Sequence, residues 1–175
     1  MNRIVTGHDK DGNAVFVKTG ETEHVVKLPG KTFYELWYTS PDTKIPVPMP
    51  EEWTEPTKAC TNVFPPLGGT RCRIIEWTGE KTSDGSDMNA VYAKELPGFL
   101  DRMENGAMNN GFHQTDSVDY GVCLAGEIEL ELDNNEKVLL KPGDLVVQNG
   151  TRHAWHPKKF PCRMLWVLVG YPSEL

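Results

Sequence analysis

The sequence lacks the features that membrane-spanning and nucleic-acid-binding proteins need. No stretch approaches the roughly 20 consecutive apolar residues that cross a bilayer, and the first residues, MNRIVTGHDKDG, contain no apolar core of the kind that a signal peptide has. Basic residues are in deficit, because 18 Lys and Arg stand against 25 Asp and Glu and the net charge is -7. A basic face for nucleic acid or an anionic membrane is therefore not expected. We expect a cytoplasmic protein.

Cysteine is also sparse. Cys60, Cys72, Cys123 and Cys162 form no CxxC pair and follow no regular spacing. A disulfide framework is typical of small secreted chains, so the four are predicted to be free thiols in a reducing compartment. The 175 residues are enough for one domain with a substantial core.

The first part of the chain, residues 1–69, is predicted to form short strands and an arm. Turn residues such as Gly12 separate the strand-like runs, and a proline-rich stretch from Ile45 to Pro66 is unsuited to a central strand because proline cannot donate to the ladder. We interpret that stretch as an arm or loop lying over the domain. The predicted strands are Ala14–Lys18, Glu23–Leu28 and Thr32–Thr39.

The second part, residues 70–175, is dominated by β-patterns. A short helix is expected within residues 89–105, interrupted at Pro97-Gly98, and a loop is expected at residues 84–87. The run EIELELD alternates, which predicts Ile128, Leu130 and Leu132 on the inner face, and CRMLWVLVG is apolar on both faces, as in a central or interface strand. Spacing of about ten residues between strands favours an all-β sandwich or barrel. Strands are predicted at 71–77, 112–124, 127–132, 136–141, 144–148, 151–156 and 162–169.

Two motifs in this part resemble those of the cupin superfamily. The first reads His113-x-Thr115-x3-Asp119-x6-Gly126, and the second joins Pro142-Gly143-Asp144 to Gly150-x2-His153. The segments HQTDSVDY and VVQNGTRHAW are similar to those of a subgroup of small single-domain cupins. The resemblance implies a double-stranded β-helix, or jelly-roll, barrel at residues 70–175 with residues 1–69 packed on it as one structural domain. The chain departs from the family pattern at Thr115 (usually His), Asp119 (Glu), Asn149 (Pro) and Pro157 (Asn).

The period of two in a strand places His113, Thr115, Asp119 and Cys123 on one face, and the resemblance brings His153 to the same cavity. Two imidazoles and a carboxylate suit a divalent transition metal such as Fe, Mn, Zn or Ni. Thr115 argues the other way, because a neutral hydroxyl is a poor ligand for such ions. Three alternatives stay open. The first is a metal on His113, Asp119 and His153. The second is a metal-free cavity in which His113 or His153 moves the proton and Asp119 orients or assists it. The third is a structural or purely binding role of the histidines.

Further residues are candidates for contact with a substrate. Trp155 shares its parity with His153 and could form an aromatic wall, whereas His156 and Tyr120 have the opposite parity. Either of two arginines could hold a substrate carboxylate through paired hydrogen bonds. The substrate-binding candidates are Thr115, Cys123, Trp155, Arg71, Arg73 and Gln148.

The expected function is that of a small-molecule enzyme. Lyase, decarboxylase, dehydratase or isomerase chemistry on an oxygenated organic acid or polyketide-like metabolite is the leading hypothesis, with or without a divalent metal. The alternatives are an iron(II)-dependent dioxygenase and a non-catalytic metabolite-binding cupin. A homodimer is expected as well, because barrels of this type bury edges by pairing sheets.

Overall fold

The fold is described by a computed structural model for residues 1–44, 53–80, 87–108 and 110–172. It contains one α-helix, α1 (Met88–Glu95), among mostly β-structure. Short 3-10 helices lie at Pro56–Ala59, Leu100–Arg102, Glu104–Gly106 and Asp133–Asn135. The strands are β1 (Asn2–His8), β2 (Ala14–Glu21), β3 (Val25–Leu28), β4 (Lys31–Thr39), β5 (Thr70–Trp77), β6 (Ser117–Glu131), β7 (Lys137–Leu140), β8 (Leu145–Asn149) and β9 (Ala154–Gly170).

The strands form two antiparallel sheets. β1 and β2 make a separate hairpin, and the other seven strands make one sheet in the order β3-β4-β5-β9-β6-β7, with β8 paired to β6. This arrangement confirms the predicted all-β fold. It also joins β3 and β4, from the N-terminal part of the chain, to the main sheet through the pairing of β4 with β5.

β6 and β9 are long strands that bend rather than pairs of separate strands. Their pairing shifts register between Cys123 and Ile128, where Gly126 has a φ of 73°. A side chain at Gly126 would collide with backbone atoms of β9, so glycine lets the two strands stay paired through the bend. The prediction of a break between residues 124 and 127, and of another between 156 and 162, was therefore wrong.

The predicted helix is present but short. Asp87 caps its N-terminus by accepting a hydrogen bond from the Asn89 backbone N–H at 3.0 Å. The helix ends at Glu95, just before Pro97-Gly98, which agrees with the interruption expected there. It packs its buried residues Tyr92 and Leu96 into an apolar cluster with Phe33 and Phe99.

The barrel core follows the predicted alternation with one exception. Ile128 and Leu130 are buried, whereas Leu132 is exposed because β6 ends at Glu131 and the chain turns there. β9 lies between β5 and β6, and its part from Cys162 onward alternates in burial, with Cys162, Met164, Trp166 and Leu168 buried. Its apolar composition therefore reflects a central strand.

The N-terminal hairpin is attached to the rest of the chain by a buried ion pair. The Arg3 guanidinium donates to both oxygens of Glu55, at 3.0 and 2.6 Å, and to the Leu36 carbonyl oxygen at 2.7 Å. Glu55 belongs to the part of the proline-rich stretch that is described; residues 45–52 of that stretch, and residues 84–86 of the predicted loop, lie outside the described residues. Within the described ranges, no helix has the length and apolarity to cross a membrane.

Candidate functional site

A cavity opens on the inner face of the main sheet, under α1 and the segment that follows it. It encloses about 800 Å³, its open mouth included. Its walls are largely aromatic, formed by Phe33, Phe64, Trp77, Phe99, Trp155 and Trp166. The polar side chains that reach it are Lys31, Arg73, His113, Thr115, Asp119 and His153.

His113 and His153 lie side by side in this cavity. Each backbone N–H donates to the other residue's carbonyl oxygen, at 2.9 and 3.0 Å, although His113 precedes β6 and is not part of it. The two imidazole centroids are 4.2 Å apart. The bridge thus brings the first motif and the second motif together at one point.

The hydrogen bonds of the two rings fix their tautomers. Nδ1 of His113 is 2.9 Å from the Gly111 carbonyl oxygen, and Nδ1 of His153 is 2.8 Å from the Thr151 carbonyl oxygen. A carbonyl oxygen only accepts, so each Nδ1 carries the hydrogen and each Nε2 has a free lone pair when the ring is neutral. Burial lowers the pKa of both histidines, and burial together with His113 lowers the pKa of His153 to about 3. Both rings are therefore neutral acceptors at neutral pH.

Asp119 lies on β6 with its carboxylate buried in the same cavity. The Ser117 hydroxyl is 2.6 Å from Asp119 Oδ1 and 3.0 Å from Thr115 Oγ1, so the three side chains form a hydrogen-bonded row. Burial raises the pKa of Asp119 to about 6, against the opposing effects of Ser117 and Arg73. This carboxyl group can exchange a proton near neutral pH.

Arg73 enters the cavity from β5 and belongs to a buried ionic network. Glu35 Oε2 accepts a hydrogen bond from Arg71 Nε at 2.9 Å, and Glu35 Oε1 lies 3.3 Å from Arg73 Nε without hydrogen-bond alignment. Arg73 also donates to the Val63 carbonyl oxygen. The network holds Arg73 between Glu35 and Asp119, whose charges both act on it.

Three predicted substrate-binding residues are not among those that line the cavity. Cys123 is buried with its Sγ directed at the carbonyl oxygens of Ala125 and Gly126, at 3.7 and 3.9 Å. Gln148 donates to the Thr151 carbonyl oxygen at 3.0 Å. Arg71 lines a smaller neighbouring cavity that also contains His24 and Glu35. Cys123 and Gln148 are thus engaged with nearby backbone carbonyl oxygens, and Arg71 faces the smaller cavity.

Lys31, Phe33 and Trp77 line the cavity and were not selected from the sequence. They lie in the strands β4 and β5, far from either motif. The strand pattern of β4 could have placed Lys31, Phe33 and Glu35 on one face, but the pairing of that face with β5 is visible only in the structure. Trp155, Thr115 and Arg73, which the sequence offered as candidates for substrate contact, line the cavity.

The donor atoms of the cavity determine whether a metal ion fits there. In the ranges that the structure describes, no three His, Cys, Asp or Glu side chains are arranged to hold one ion. His113 and His153 supply two adjacent Nε2 lone pairs, but Asp119 does not join them as a third ligand, and Thr115 is the residue that replaces the family's other histidine. The arrangement does not fit the facial three-ligand set that the resemblance implies.

The chain is similar to a known family and to several known proteins. The family described as "Cupin domain" matches residues 99–168. The phomopsin biosynthesis cluster protein C' of Diaporthe leptostromiformis is 31% identical over 99% of this chain and 81% of its own length. The cupin-domain-containing oxidoreductase virC of Hypocrea virens is 27% identical over 95% of this chain and 74% of its own. Among solved structures, KdgF from Halomonas sp. is 16% identical, with a TM-score of 0.45 over 86% of this chain and 91% of that one.

Proposed function

The chain belongs to the cupin superfamily, and we propose that it is a small-molecule enzyme that transfers protons within its barrel cavity. The relatives' names, which include cupin-domain oxidoreductases and a biosynthesis cluster protein, support a cupin enzyme of small-molecule metabolism in broad terms. The reaction class proposed is lyase or isomerase chemistry, including decarboxylation and dehydration, on an oxygenated organic acid or polyketide-like metabolite.

The observation that carries the proposal is the convergence of His113, His153 and Asp119 on one cavity with aromatic walls. Such walls bind the body of an organic molecule, and the few polar groups orient it. The two Nε2 atoms accept hydrogen bonds from substrate hydroxyl groups, because each Nδ1 hydrogen is held by a carbonyl oxygen. This orients an oxygenated substrate toward the carboxyl group.

Proton transfer is assigned to Asp119 in this proposal, with the histidines as orienting acceptors. The ionised carboxylate takes a proton from a carbon next to a carbonyl group. The C–H electron pair becomes a C=C bond, and the carbonyl π electrons move to its oxygen. The Asp119 carboxyl group then protonates the enolate. Protonation at the original carbon exchanges its hydrogen, and protonation at a more distant carbon of a conjugated substrate completes an isomerisation without any oxidant. The sequence alone suggested the reverse division of roles, in which a histidine moves the proton and Asp119 assists.

The test uses phenylpyruvate, an aromatic keto acid, in D2O. Exchange of its C3 hydrogens, followed by proton NMR, is expected to be faster with the protein than without it. Asp119→Asn should reduce the exchange at least about a hundredfold, because general base catalysis contributes that much. His113→Gln and His153→Gln should reduce it less, and His156→Gln, which alters a ring paired with Glu131 instead of the cavity, should leave it unchanged.

Equal exchange in the wild type and Asp119→Asn would contradict the proposal. Tight binding of phenylpyruvate without any exchange would instead favour the non-catalytic metabolite-binding alternative. Circular dichroism and thermal unfolding of each variant separate loss of chemistry from loss of fold.

A metal-dependent oxidoreductase, including an iron(II) dioxygenase, is the second candidate. The observations that favour it are the relatives named oxidoreductases and the two neighbouring imidazoles of His113 and His153, whose ring centroids are 4.2 Å apart. Elemental analysis of the purified protein and of His153→Ala, each after incubation with Fe, Mn, Zn or Ni, tests it. Near-stoichiometric metal that the variant loses would support it, and oxygen consumption would identify the dioxygenase.

The homodimer stays a prediction. Exposed apolar side chains cover the outer face of β6 and β8, where Tyr120 is paired with Val147 and Val122 with Leu145. Patches of this kind mark interfaces in soluble proteins, which supports self-association through that face. The cytoplasmic location and the absence of nucleic-acid or membrane partners also remain expectations from the sequence.

A further inference from the structure

Lys31 lies at the wall of the cavity, surrounded by aromatic rings. Its Nζ is 5.4 Å from the centroid of Trp77, 5.6 Å from that of Tyr92 and 5.9 Å from that of Phe33. Ring faces attract an ammonium group through their quadrupole. They hold the cation in place and leave its charge unneutralised.

The strand register separates Lys31 from the buried ionic network. On paired inner faces of β4 and β5, Glu35 is opposite Arg73, Phe33 is opposite Ile75, and Lys31 is opposite Trp77. Lys31 is four residues from Glu35, which corresponds to roughly 13 Å along a strand. Glu35 therefore compensates the two arginines at one end and cannot pair with the ammonium group at the other.

Arg73 and Lys31, which both line the cavity, thus differ in whether a nearby carboxylate compensates their positive charge. Arg73 lies beside Glu35 and is under the influence of Asp119. Over the described ranges, no carboxylate oxygen lies within 4 Å of Lys31 Nζ, so it forms no ion pair there. Lys31 is also close enough to affect the opposite wall, because its charge contributes to lowering the pKa of His113.

We propose that Lys31 recognises a carboxylate on the substrate and selects anionic ligands with an aromatic body. The aromatic rings around the ammonium group and along the cavity would contact that body, while His113 and His153 face the oxygenated part. The inference extends the proposed function by assigning a substrate class and a selecting residue, so it rests on that function for its biological meaning. Binding itself can be measured without turnover.

The experiment compares 2-naphthoate with 2-naphthamide, a neutral analogue of nearly the same shape, by isothermal titration calorimetry. Wild type should prefer the carboxylate. Lys31→Met should weaken naphthoate binding about tenfold, which corresponds to loss of one charged contact, and should leave naphthamide binding unchanged. Lys31→Arg should retain most of the preference, because it retains the charge.

Lys27→Met is the matched control, since Lys27 is an exposed lysine on the adjacent strand β3 and does not line the cavity. It should bind both probes as wild type does. Equal affinities of wild type for the two probes, unchanged naphthoate binding by Lys31→Met, or no binding of either probe would overturn the proposal. If Lys31→Met does not fold, the naphthoate affinity of Lys31→Gln and the preference of wild type for naphthoate over naphthamide test the proposal instead.

The result is independent of the phenylpyruvate exchange. If hydrogen exchange depends on Asp119 but naphthoate binding does not depend on Lys31, only the proposed substrate class is wrong. If naphthoate binding depends on Lys31 but the protein does not catalyse hydrogen exchange of phenylpyruvate, the proposed reaction is wrong and the proposed ligand class stands.

Discussion

The inner face of the main sheet buries a group of charged side chains, and its outer face exposes a group of apolar ones. On the inner face, Glu35, Arg71, Arg73 and Asp119 are buried, at 1, 2, 2 and 6% exposure. On the outer face of β6 and β8, the apolar residues Tyr120, Leu145 and Val147 are 46–61% exposed. Charged side chains are therefore buried in this part of the inner face, and apolar side chains are exposed to solvent in this part of the outer face.

The contrast indicates what each face is for. Burying ionised groups costs free energy through desolvation and is weak evidence for stability, so their concentration in and beside the cavity points to function. Exposed apolar surface also costs solubility unless a partner covers it. The inner face is therefore interpreted as the site and the outer face as an interface.

The largest expected effect is that of removing the charge that unites the inner network. Glu35→Gln leaves Arg71 and Arg73 without their shared carboxylate, and breaking a buried pair from one side costs about 3–5 kcal/mol. Urea unfolding should show a loss of that order in the free energy of unfolding. Glu76→Gln is the control, because Glu76 pairs with the more exposed Arg163 and should cost less than about 1 kcal/mol. Equal effects of the two variants would show that the inner network is not what stabilises the sheet.

A smaller effect is expected from adding a side chain at Gly121 of β6. Gly121 is paired with Trp166, whose ring occupies the place of a Cβ. Gly121→Ala should therefore destabilise the protein by about 1–3 kcal/mol through overpacking. In a Trp166→Leu background the same substitution should cost less, and a thermodynamic cycle from denaturant unfolding measures the difference. A cost that is independent of Trp166 would mean that the ring does not set the constraint.

Much of the inner face could be predicted from the sequence, because a period of two and the spacing of the two motifs determine which residues point inward. Asp119 and Thr115 were placed in the cavity on that basis. His153 was placed there by the resemblance to cupins, and His113 reaches it although it precedes β6. The run 162–169 was interpreted as a central or an interface strand, and it is central in the sheet. The positions of Cys123 and Gln148 could not be predicted, since parity says which face a side chain is on but not what covers it. Lys31 escaped notice because its surroundings come from β4, β5 and α1, which lie far apart in the chain.

Asp119 is expected to lower the stability of the protein at neutral pH. Burial raises its pKa from 3.8 to about 6, so the folded state loses stability relative to the unfolded state as the pH rises between these values, and the loss is complete above about 6. Asp119→Asn should accordingly raise the free energy of unfolding at pH 7 by on the order of 2 kcal/mol. The gain should shrink toward zero near pH 4, as measured by urea unfolding at both pH values. A destabilised variant at pH 7 would show that the Arg73–Asp119 interaction outweighs the burial.

A substitution on the outer face should change the self-association of the protein more than its folding stability. Val147→Asp places a charge in the apolar patch beside Tyr120, its partner in the register of β6 and β8. If a second copy covers this face, burying an unpaired carboxylate there would oppose association. Sedimentation velocity should then show a dimer for wild type and a monomer for the variant.

The change in the free energy of unfolding, measured at concentrations where wild type is monomeric, should stay within about 0.5 kcal/mol because the position is on the surface. Phe16→Asp is the matched control, since Phe16 is also an exposed apolar residue but lies on the separate β1–β2 hairpin. Dissociation by Phe16→Asp alone would move the interface to the hairpin. A monomeric wild type would show that no second copy covers the apolar outer face. The interpretation of that face as an interface between copies would then be wrong.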